Sequence, residues 1–318
     1  MATPIYIIDA MSEFYRSQLA GTFKQAEFRT AKDRRSVNMD QLGDVEAIVA
    51  LGTPTVFDED LLSAAKKLRF VQALTTGIDG ITGVKSLRED VKIATNTGIH
   101  GPQMAEFAIM HMLNLSRQAG RIWDNQKAGR WERVPQIRLA GKTVVILGIG
   151  SISESLAPRC KALGMSVLGV SGTIRDVPGF DRVYPRTELI DAVAQADYLV
   201  IMVPGSPENR NLVDARVLKA MKPSAYLINL ARGSVLDYEA LVDALKNNRL
   251  AGAGLDVFPG HAPLPPDHPL WKTEKVLITP NIAGGSEVSH LLNVPIIERN
   301  VRCFLEGNYD DMINLVRK

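Results

Sequence analysis

The run from Thr143 to Ser153 constrains the fold more than any other segment of the chain. Its first five residues are mostly apolar, Gly148 and Gly150 follow, and a helical pattern then begins. In a strand–turn–helix unit of this kind, the first glycine allows a tight turn and the second lets the backbone approach a pyrophosphate. The N–H groups that open the helix then face the phosphate. The run predicts a dinucleotide-binding turn at Gly148, Gly150, Ser151 and Ile152; an ordinary strand-to-helix turn is the alternative, since Ser153 replaces the usual third Gly or Ala.

The end of the next predicted strand, 166–170, bears on the choice of dinucleotide. A carboxylate at this distance from the glycines would bind the ribose 2′-hydroxyl of NAD. Here Ser171, Thr173 and Arg175 occupy the turn and no acid stands at the strand end. Because a guanidinium pairs with a phosphate that an acid would repel, the turn favours NADP(H) over NAD(H). The alternative is a solvated turn without a cofactor role.

Three further segments carry a family resemblance. They are 203–210 (VPGSPENR), 229–237 (NLARGSVLD) and 254–258 (GLDVF). In this order they resemble the D-isomer-specific 2-hydroxyacid dehydrogenases, and the glyoxylate/hydroxypyruvate reductase branch in particular. The resemblance covers nearly the whole chain, with specific motifs in 142–284 and weaker ones in 75–106. It implies an oxidoreductase that reduces a small 2-oxo acid to a 2-hydroxy acid.

Composition excludes several other classes of function. The chain has 318 residues and a net charge of +2, and it shows no basic stripe with interleaved aromatic residues. No nucleic-acid partner is therefore expected, and no apolar stretch approaches membrane-spanning length. The two cysteines, Cys160 and Cys303, are far apart and suit a reducing compartment. The histidines lack metal-ligand spacing. We expect a soluble cytoplasmic protein with no metal and no membrane contact.

Apolar periodicity predicts an α/β fold with two Rossmann-like domains. Short apolar runs at 4–8, 46–51, 68–74 and 91–94, with a helix at 60–67, make a first, smaller α/β unit. A long helix begins near Gln103, and strands alternate with helices from Lys142 to about Ile278, which indicates a doubly wound parallel sheet. Pro158 should kink the first helix of that sheet or mark an irregularity. Residues 288–304 form a last helix.

The resemblance assigns these segments to domains. Residues 1–98 and 286–318 would form a flavodoxin-like substrate domain, and 99–285 the NAD(P)-binding Rossmann domain. It further implies that the active site lies in the cleft between the domains and that a homodimer forms through the cofactor domain.

Several residues match the family's substrate and cofactor positions. Arg232 matches the arginine that holds the substrate carboxylate and polarises the carbonyl, for which a planar guanidinium fork is suited. Thr76, Gly77 and Ile78 match a loop whose backbone N–H groups bind the carboxylate. Asp256 matches the acid that holds the nicotinamide carboxamide. Further expected cofactor contacts are Val203, Pro204, Leu230, Ala231, Ala283 and Gly284.

Both members of the family's acid/base pair are replaced. The family supplies the proton from a histidine in Thr-Pro-His, whereas here Thr279 and Pro280 are followed by Asn281, whose amide does not titrate. The family's partner glutamate falls at His261 or Ala262, because this segment carries one extra residue. His100, at the predicted domain junction, is a candidate to reach the substrate or a simple cap.

Three interpretations remain open at this stage. His261 takes over the proton role, with Asn281 orienting it or the substrate. Alternatively, an atypical reductase acts on a substrate that needs no general acid from the site, such as an iminium. In the third, the chain is a non-catalytic dinucleotide-binding regulator.

Overall fold

A computed structural model describes residues 2–261, 263–273 and 275–317, with the backbone alone for His261 and Arg317. The chain divides into two compact units. Unit 1 is Met1–Ile99 with Ser286–Lys318, and unit 2 is His100–Gly285. Within the described ranges, no helix is both long and apolar enough to cross a membrane.

Unit 1 is built on a six-stranded sheet. Its strands are β1 (Thr3–Ile8), β2 (Ala26–Ala31), β3 (Ala47–Ala50), β4 (Phe70–Ala73), β5 (Lys92–Ala94) and β13 (Leu315–Arg317). The order across the sheet is β13-β5-β4-β3-β1-β2, and all neighbours are parallel except β13 and β5. The strand order reverses between β1 and β3, since β2 lies on one side of β1 and β3 to β5 on the other, which is the flavodoxin-like arrangement. The α/β prediction for this part of the chain is confirmed.

Four helices cover the sheet of unit 1. They are α1 (Ser12–Leu19), α2 (Glu59–Ala64), α3 (Asp79–Thr82) and α10 (Ser289–Glu306). The predicted helices at 60–67 and 288–304 correspond to α2 and α10. The sequence did not predict β2 or α1, because β2 is a half-exposed edge strand without regular alternation and α1 is only two turns long.

Buried amides fix the carboxyl end of β4 to its neighbours. Gln72 Nε2 donates to Asn96 Oδ1 at 2.7 Å, and Asn96 Nδ2 donates to Asn293 Oδ1 at 2.5 Å. From α10, Asn300 Nδ2 donates to Gln72 Oε1 at 2.7 Å. These four side chains are almost fully buried. Because each amide is satisfied, the network holds the start of the 74–78 loop in one geometry.

Unit 2 contains a seven-stranded, fully parallel sheet. Its strands are β6 (Thr143–Leu147), β7 (Ser166–Ser171), β8 (Arg182–Pro185), β9 (Tyr198–Ile201), β10 (Tyr226–Asn229), β11 (Gly252–Leu255) and β12 (Val276–Ile278). The order is β12-β11-β10-β9-β6-β7-β8. The strand order therefore reverses between β6 and β9: strands β7 and β8 are added on one side of β6, and β9 to β12 on the other. Doubly wound sheets open a crevice for ligands at such a point. The predicted doubly wound parallel sheet is confirmed.

Helices of unit 2 pack on this sheet, except one that packs on another helix. They are α4 (Gly101–Ser116), α5 (Ala119–Lys127), α6 (Ser151–Ala162), α7 (Leu189–Val193), α8 (Ala215–Ala220) and α9 (Tyr238–Lys246). The exception is α5, which packs on α4. Pro158 lies inside α6, and the helix continues past it to Ala162. Pro158 has no N–H to donate to the Glu154 carbonyl oxygen one turn earlier. One residue along, the carbonyl and hydroxyl oxygens of Ser155 accept from the Arg159 guanidinium at 2.7 and 2.8 Å.

A substitution at Gly80 tests how closely two loops of unit 1 pack against each other. A Cβ atom at Gly80 would lie 2.1 Å from the Thr53 carbonyl carbon and 2.3 Å from Pro54 N, so backbone must move. We expect Gly80→Ala to lower the free energy of unfolding by about 2 kcal/mol or more, as overpacking does. Gly43→Ala is the matched control, since nothing lies within 4 Å of its Cβ position. Urea unfolding followed by circular dichroism measures both; equal stability of the two variants would contradict the packing argument.

Candidate active site

The carboxyl ends of the parallel strands bring the predicted residues of unit 2 to one edge of its sheet. Gly148–Gly150 follow β6, 203–205 follow β9 and 230–232 follow β10. Asp256 follows β11, and the 279–283 segment follows β12. Since parallel strands end at a common edge, these segments share one side of the unit, and the β6 and β9 ends flank the reversal point.

The predicted phosphate-binding turn has the required backbone. Gly148 has φ +99°, and a Cβ atom there would lie 2.7 Å from Val203 Cγ1 and 2.9 Å from the Met202 carbonyl carbon. By contrast, no described heavy atom lies within 4 Å of the Cβ position of Gly150, which caps α6. Ser153 is buried, and its hydroxyl donates to the Gly148 carbonyl oxygen at 2.6 Å. The serine at the third motif position therefore links the first turn of α6 to the glycine turn by a buried hydrogen bond.

A cavity of about 220 Å³ opens beside this turn. It is bounded by the ends of β6, β7 and β9 and by the start of the segment after β8. Its lining residues are Leu147, Gly148, Ile149, Val170, Ser171, Gly172, Arg186, Val203, Pro204, Asn209 and Leu212. Ser171, Val203 and Pro204 were predicted from sequence, whereas Arg186 and Asn209 were not.

The predicted 2′-phosphate residue Arg175 has a partner in the structure. Its guanidinium is ion-paired with Glu154 of α6, and the two side chains are 48% and 42% exposed. Ser171 Oγ accepts from Thr173 N at 3.2 Å, which shapes the turn itself. Arg175 therefore lies near the predicted place, but an adjacent carboxylate competes for its charge.

The Asn229-x-x-Arg232-Gly233 motif forms a tight turn at the end of β10. The buried Asn229 side chain accepts from Ala231 N and donates to the Arg232 carbonyl oxygen, both at 3.1 Å. Gly233 is required because a Cβ atom would lie 2.0 Å from the Phe258 carbonyl carbon. Gly205 likewise leaves room for the Arg232 stem, since its Cβ atom would lie 2.9 Å from Arg232 Cγ. The motif therefore fixes where the guanidinium can project.

Arg232 is partly buried, and its Nη1 donates to the Ala231 carbonyl oxygen at 2.8 Å. This bond folds the guanidinium back over its own turn. Leu230 and Ala231, two of the predicted cofactor contacts, are buried in the same turn.

Asp256 is the centre of a hydrogen-bond network under the 279–283 segment. The carboxylate is 1% exposed and accepts from Thr279 Oγ1 at 2.6 Å. It also accepts from the backbone N–H groups of Ile282 and Ala283, both at 3.0 Å. The structure thus gives Asp256 the task of holding this segment in place, a task that its motif match did not predict.

Asn281 sits in the left-handed backbone region, with φ +56°. Its N–H donates to the Asp256 carbonyl oxygen at 2.8 Å, and its side chain is exposed. Asparagine is one of the few residues other than glycine that adopt this conformation readily. The conformation presents the amide at the carboxyl edge of the sheet.

His100 lies beside the same segment, immediately before α4. Its Nδ1 is 3.3 Å from the Gly284 carbonyl oxygen, and Gln103 Nε2 donates to that oxygen at 3.3 Å. Burial lowers the pKa of His100 below its ordinary value, and the Gly284 carbonyl opposes this effect. A titratable imidazole is therefore held next to the loop that carries Asn281.

Two site predictions need separate mention. The backbone of His261 closes a short 3₁₀ turn, Pro259–His261, but its side chain lies outside the described residues. Thr76, Gly77 and Ile78 belong to unit 1, at the carboxyl end of β4. Within the described part of unit 1, no group accepts from their three backbone N–H groups, and the Gly77 carbonyl is turned toward Thr75 Oγ1 at 2.7 Å.

Among the described residues, no group of three His, Cys, Asp or Glu side chains is placed to hold a metal ion.

His111 is a buried histidine beneath the Asp256 network. It is fully buried on α4, its Nε2 is 3.4 Å from Thr279 Oγ1, and Nδ1 has no hydrogen-bond partner among the described residues. The close approach of Gly254 explains the fit, because a Cβ atom there would lie 2.4 Å from His111 Nδ1. Burial lowers the pKa of His111 to about 4, against a smaller opposing effect of Asp256.

This buried histidine should make stability depend on pH. Between about pH 6.5 and pH 4, the unfolded chain binds a proton at this imidazole that the folded chain does not. The free energy of unfolding should fall as the pH falls through this window, by about 3 kcal/mol from this group. Urea unfolding at several pH values measures it. His111→Gln should show a shallower dependence than the unaltered protein, whereas parallel curves would refute the assignment.

Comparison with known proteins identifies the family of this chain. A dinucleotide-binding α/β oxidoreductase domain is the class that the doubly wound sheet and its phosphate-binding turn define. Residues 109–283 match the family model "D-isomer specific 2-hydroxyacid dehydrogenase, NAD binding domain". The chain belongs to the D-isomer specific 2-hydroxyacid dehydrogenase family, as the sequence motifs predicted, and is an NAD(P)-binding oxidoreductase.

Similar proteins extend over most of the chain. A family member from Aeromonas salmonicida has 31% identity and a TM-score of 0.88, with 99% of each chain covered. The glyoxylate reductase of Korarchaeum cryptofilum is 29% identical over 87% of this chain and 85% of its own length. An NADPH-dependent glyoxylate/hydroxypyruvate reductase from Sinorhizobium meliloti, solved with NADP and sulfate, has 25% identity and a TM-score of 0.82, with 99% and 98% covered.

Proposed function

We propose that the protein reduces a small 2-oxo acid to its 2-hydroxy acid with NADPH. The observation that carries this proposal is the Arg232 turn, which shares the carboxyl edge of the sheet with the phosphate-binding turn of Gly148 and Gly150. Unit 2 would be the cofactor domain and unit 1 the substrate domain. Names of relatives such as glyoxylate reductase point to the same substrate class.

The cofactor site fits a dinucleotide. Its features are the unobstructed Cβ position of Gly150, the positive φ of Gly148 and the cavity beside them. The backbone of Gly148–Ile152 would hold the pyrophosphate, and Ser171 with Thr173 the ribose. NADPH, when bound, supplies the hydride. The preference for NADPH follows from the absence of an acid in the Ser171–Arg175 turn, because a carboxylate there would repel the 2′-phosphate.

Arg232 and the 76–78 loop are the proposed substrate groups. A guanidinium can bind a carboxylate with two parallel hydrogen bonds and stabilise the charge that develops on the neighbouring carbonyl oxygen. The N–H groups of Thr76, Gly77 and Ile78 would bind the carboxylate as neutral donors. The amide of Asn281 would donate to the carbonyl oxygen.

The proton must come from another group, since Asn281 does not titrate. We assign this step to His100, because its imidazole lies beside the segment that carries Asn281. His261 is the competing candidate. Because Asn281 replaces the family's histidine, two other functions must be tested against this proposal. They are an atypical reductase and a non-catalytic dinucleotide-binding regulator.

Exposed apolar side chains suggest a homodimer. Trp131 is 99% exposed, Trp123 is 60% exposed and Ile122 is 44% exposed, all in or after α5 of unit 2. Large aromatic side chains of this kind are typical of interface cores. We infer that a second copy of the chain covers them, through the cofactor unit.

A cytoplasmic location is also part of the proposal. Both cysteines are free and buried, as is usual for proteins kept in a reducing compartment.

Removing the Arg232 guanidinium tests the proposed reaction. We expect Arg232→Ala to lower kcat/KM for glyoxylate about 100-fold or more, because both carboxylate binding and charge stabilisation are lost. Arg216→Ala is the control, since Arg216 is highly exposed on α8. Initial rates of NADPH oxidation, with NADPH binding measured separately, give the comparison. An Arg232→Ala variant that binds NADPH and keeps full turnover would contradict the assignment.

The pH dependence of the rate tests His100. If its imidazolium delivers the proton, kcat/KM should fall as the pH rises above a pKa that burial places below the ordinary value for histidine. His100→Gln should abolish this fall and lower the rate about 100-fold at acidic pH. His268→Gln serves as the control, and His261→Gln as the rival. A profile that responds to His261→Gln and not to His100→Gln would overturn the assignment.

A further inference from the structure

The polar wall of the cavity beside β6 contains a cation that the sequence motifs do not mark. Arg186 follows the last residue of β8, and Pro185 of β8 pairs in register with Ser171 of β7. Arg186 therefore directly follows the residue that pairs with Ser171, where the predicted ribose-binding turn begins. Its partly buried side chain lines the cavity together with Ser171 and Gly172.

The Arg186 guanidinium is held by neutral acceptors. Its Nη2 donates to the Glu208 carbonyl oxygen at 2.9 Å and to Asn209 Oδ1. Asn209 is itself buried, and its Nδ2 donates to the Pro204 carbonyl oxygen at 2.8 Å. This chain of hydrogen bonds fixes the guanidinium against the loop after β9. A hydrogen bond from the Ser206 side chain lowers the pKa of the nearby Glu208 carboxyl group, and the charge of Arg186 helps to lower it further. No carboxylate of the described residues, however, forms an ion pair with Arg186.

Three N–H groups of Arg186 have no acceptor among the described residues. A guanidinium carries five N–H donors, and both bonds to described residues come from Nη2. The Nε–H and the two N–H groups of Nη1 therefore stay available for single charge-assisted hydrogen bonds to phosphate oxygens. Arg175 differs from Arg186, because the Arg175 side chain is half exposed and forms an ion pair with Glu154.

We propose that Arg186 is the main residue that binds the 2′-phosphate of NADPH and so sets the choice between the two dinucleotides. This inference rests on the proposed NADPH preference and deepens it. Arg175 then has a secondary part, because its charge is already shared with Glu154. Asn209 is a positioning residue that orients the Arg186 guanidinium.

The test uses adenosine-end probes, so that it does not depend on turnover. Isothermal titration calorimetry of the full chain measures the Kd of 2′,5′-ADP and of 5′-AMP, which differ only in the 2′-phosphate. We expect Arg186→Ala to weaken 2′,5′-ADP about 10- to 100-fold, the range for loss of a charge-assisted hydrogen-bonded pair. The change for 5′-AMP should be less than about 3-fold, because only the phosphate contact is lost.

Three further variants sharpen the comparison. Arg175→Ala should weaken 2′,5′-ADP by less than about 5-fold, since an exposed, paired charge contributes little. Arg182→Ala is the matched control, because Arg182 lies on β8, the strand that Arg186 follows, and stacks on Tyr184 at 4.1 Å, outside the cavity lining. Arg186→Gln keeps an N–H donor for the Glu208 carbonyl without the charge, so it should behave like Arg186→Ala even if the alanine variant folds poorly.

The outcomes separate this proposal from the one on which it rests. If the unaltered protein binds 2′,5′-ADP no more tightly than 5′-AMP, the NADPH preference fails, and this assignment fails with it. If the unaltered protein discriminates and both Arg186 variants still discriminate equally well, the NADPH preference stands and the role of Arg186 is wrong. Equal weakening of both probes would also refute it, since Arg186 would then hold the cavity wall rather than the phosphate.

Discussion

The parallel alignment of all seven strands in unit 2 is the constraint on which the proposed site depends. A parallel sheet places every carboxyl end at one edge, and the reversal between β6 and β9 opens that edge for a ligand. Residues that are 80 or more positions apart along the chain are thereby placed at the same side of the sheet. The phosphate-binding turn, the Arg232 turn and the Asp256 network each occupy one strand end.

Glycines allow the loops at neighbouring strand ends to pack closely against one another. Gly148 lets the first turn pass against Met202 and Val203, and Gly233 lets the Arg232 turn pass against Phe258. In both places a single Cβ atom would overlap neighbouring backbone. The motif glycines are thus explained by close packing between adjacent loops as well as by contact with a ligand.

Much of this architecture could be predicted from sequence because buried parallel strands are short, continuous apolar runs. The strands at 143–147 and 166–171 are examples. The edge strand β2, Ala26–Ala31, escaped prediction because it is half exposed and mixes charged with apolar residues. A strand can be predicted from its local sequence most readily where both of its faces are buried, because its side chains are then nearly all apolar.

The site was predictable only in part, for a different reason. Arg232 and the proposed phosphate-binding turn at Gly148 each lie in a short continuous sequence motif, so both can be found from the sequence. Arg186 follows a short strand with little apolar character, and its importance depends on which strand lies next to β7. Asp256 is similar, because its bonds to Thr279, Ile282 and Ala283 exist only after β11 and β12 have paired.

The proposed function requires this chain to reduce 2-oxo acids although Asn281 replaces the family's histidine. The most direct measurement is NADPH consumption by the unaltered protein with glyoxylate and with hydroxypyruvate, together with quantification of the 2-hydroxy acid formed. We expect turnover, with one molecule of 2-hydroxy acid formed for each NADPH consumed. Tight NADPH binding without any consumption, together with activity gained in Asn281→His, would contradict it and would identify a dinucleotide-binding protein that has lost this reaction.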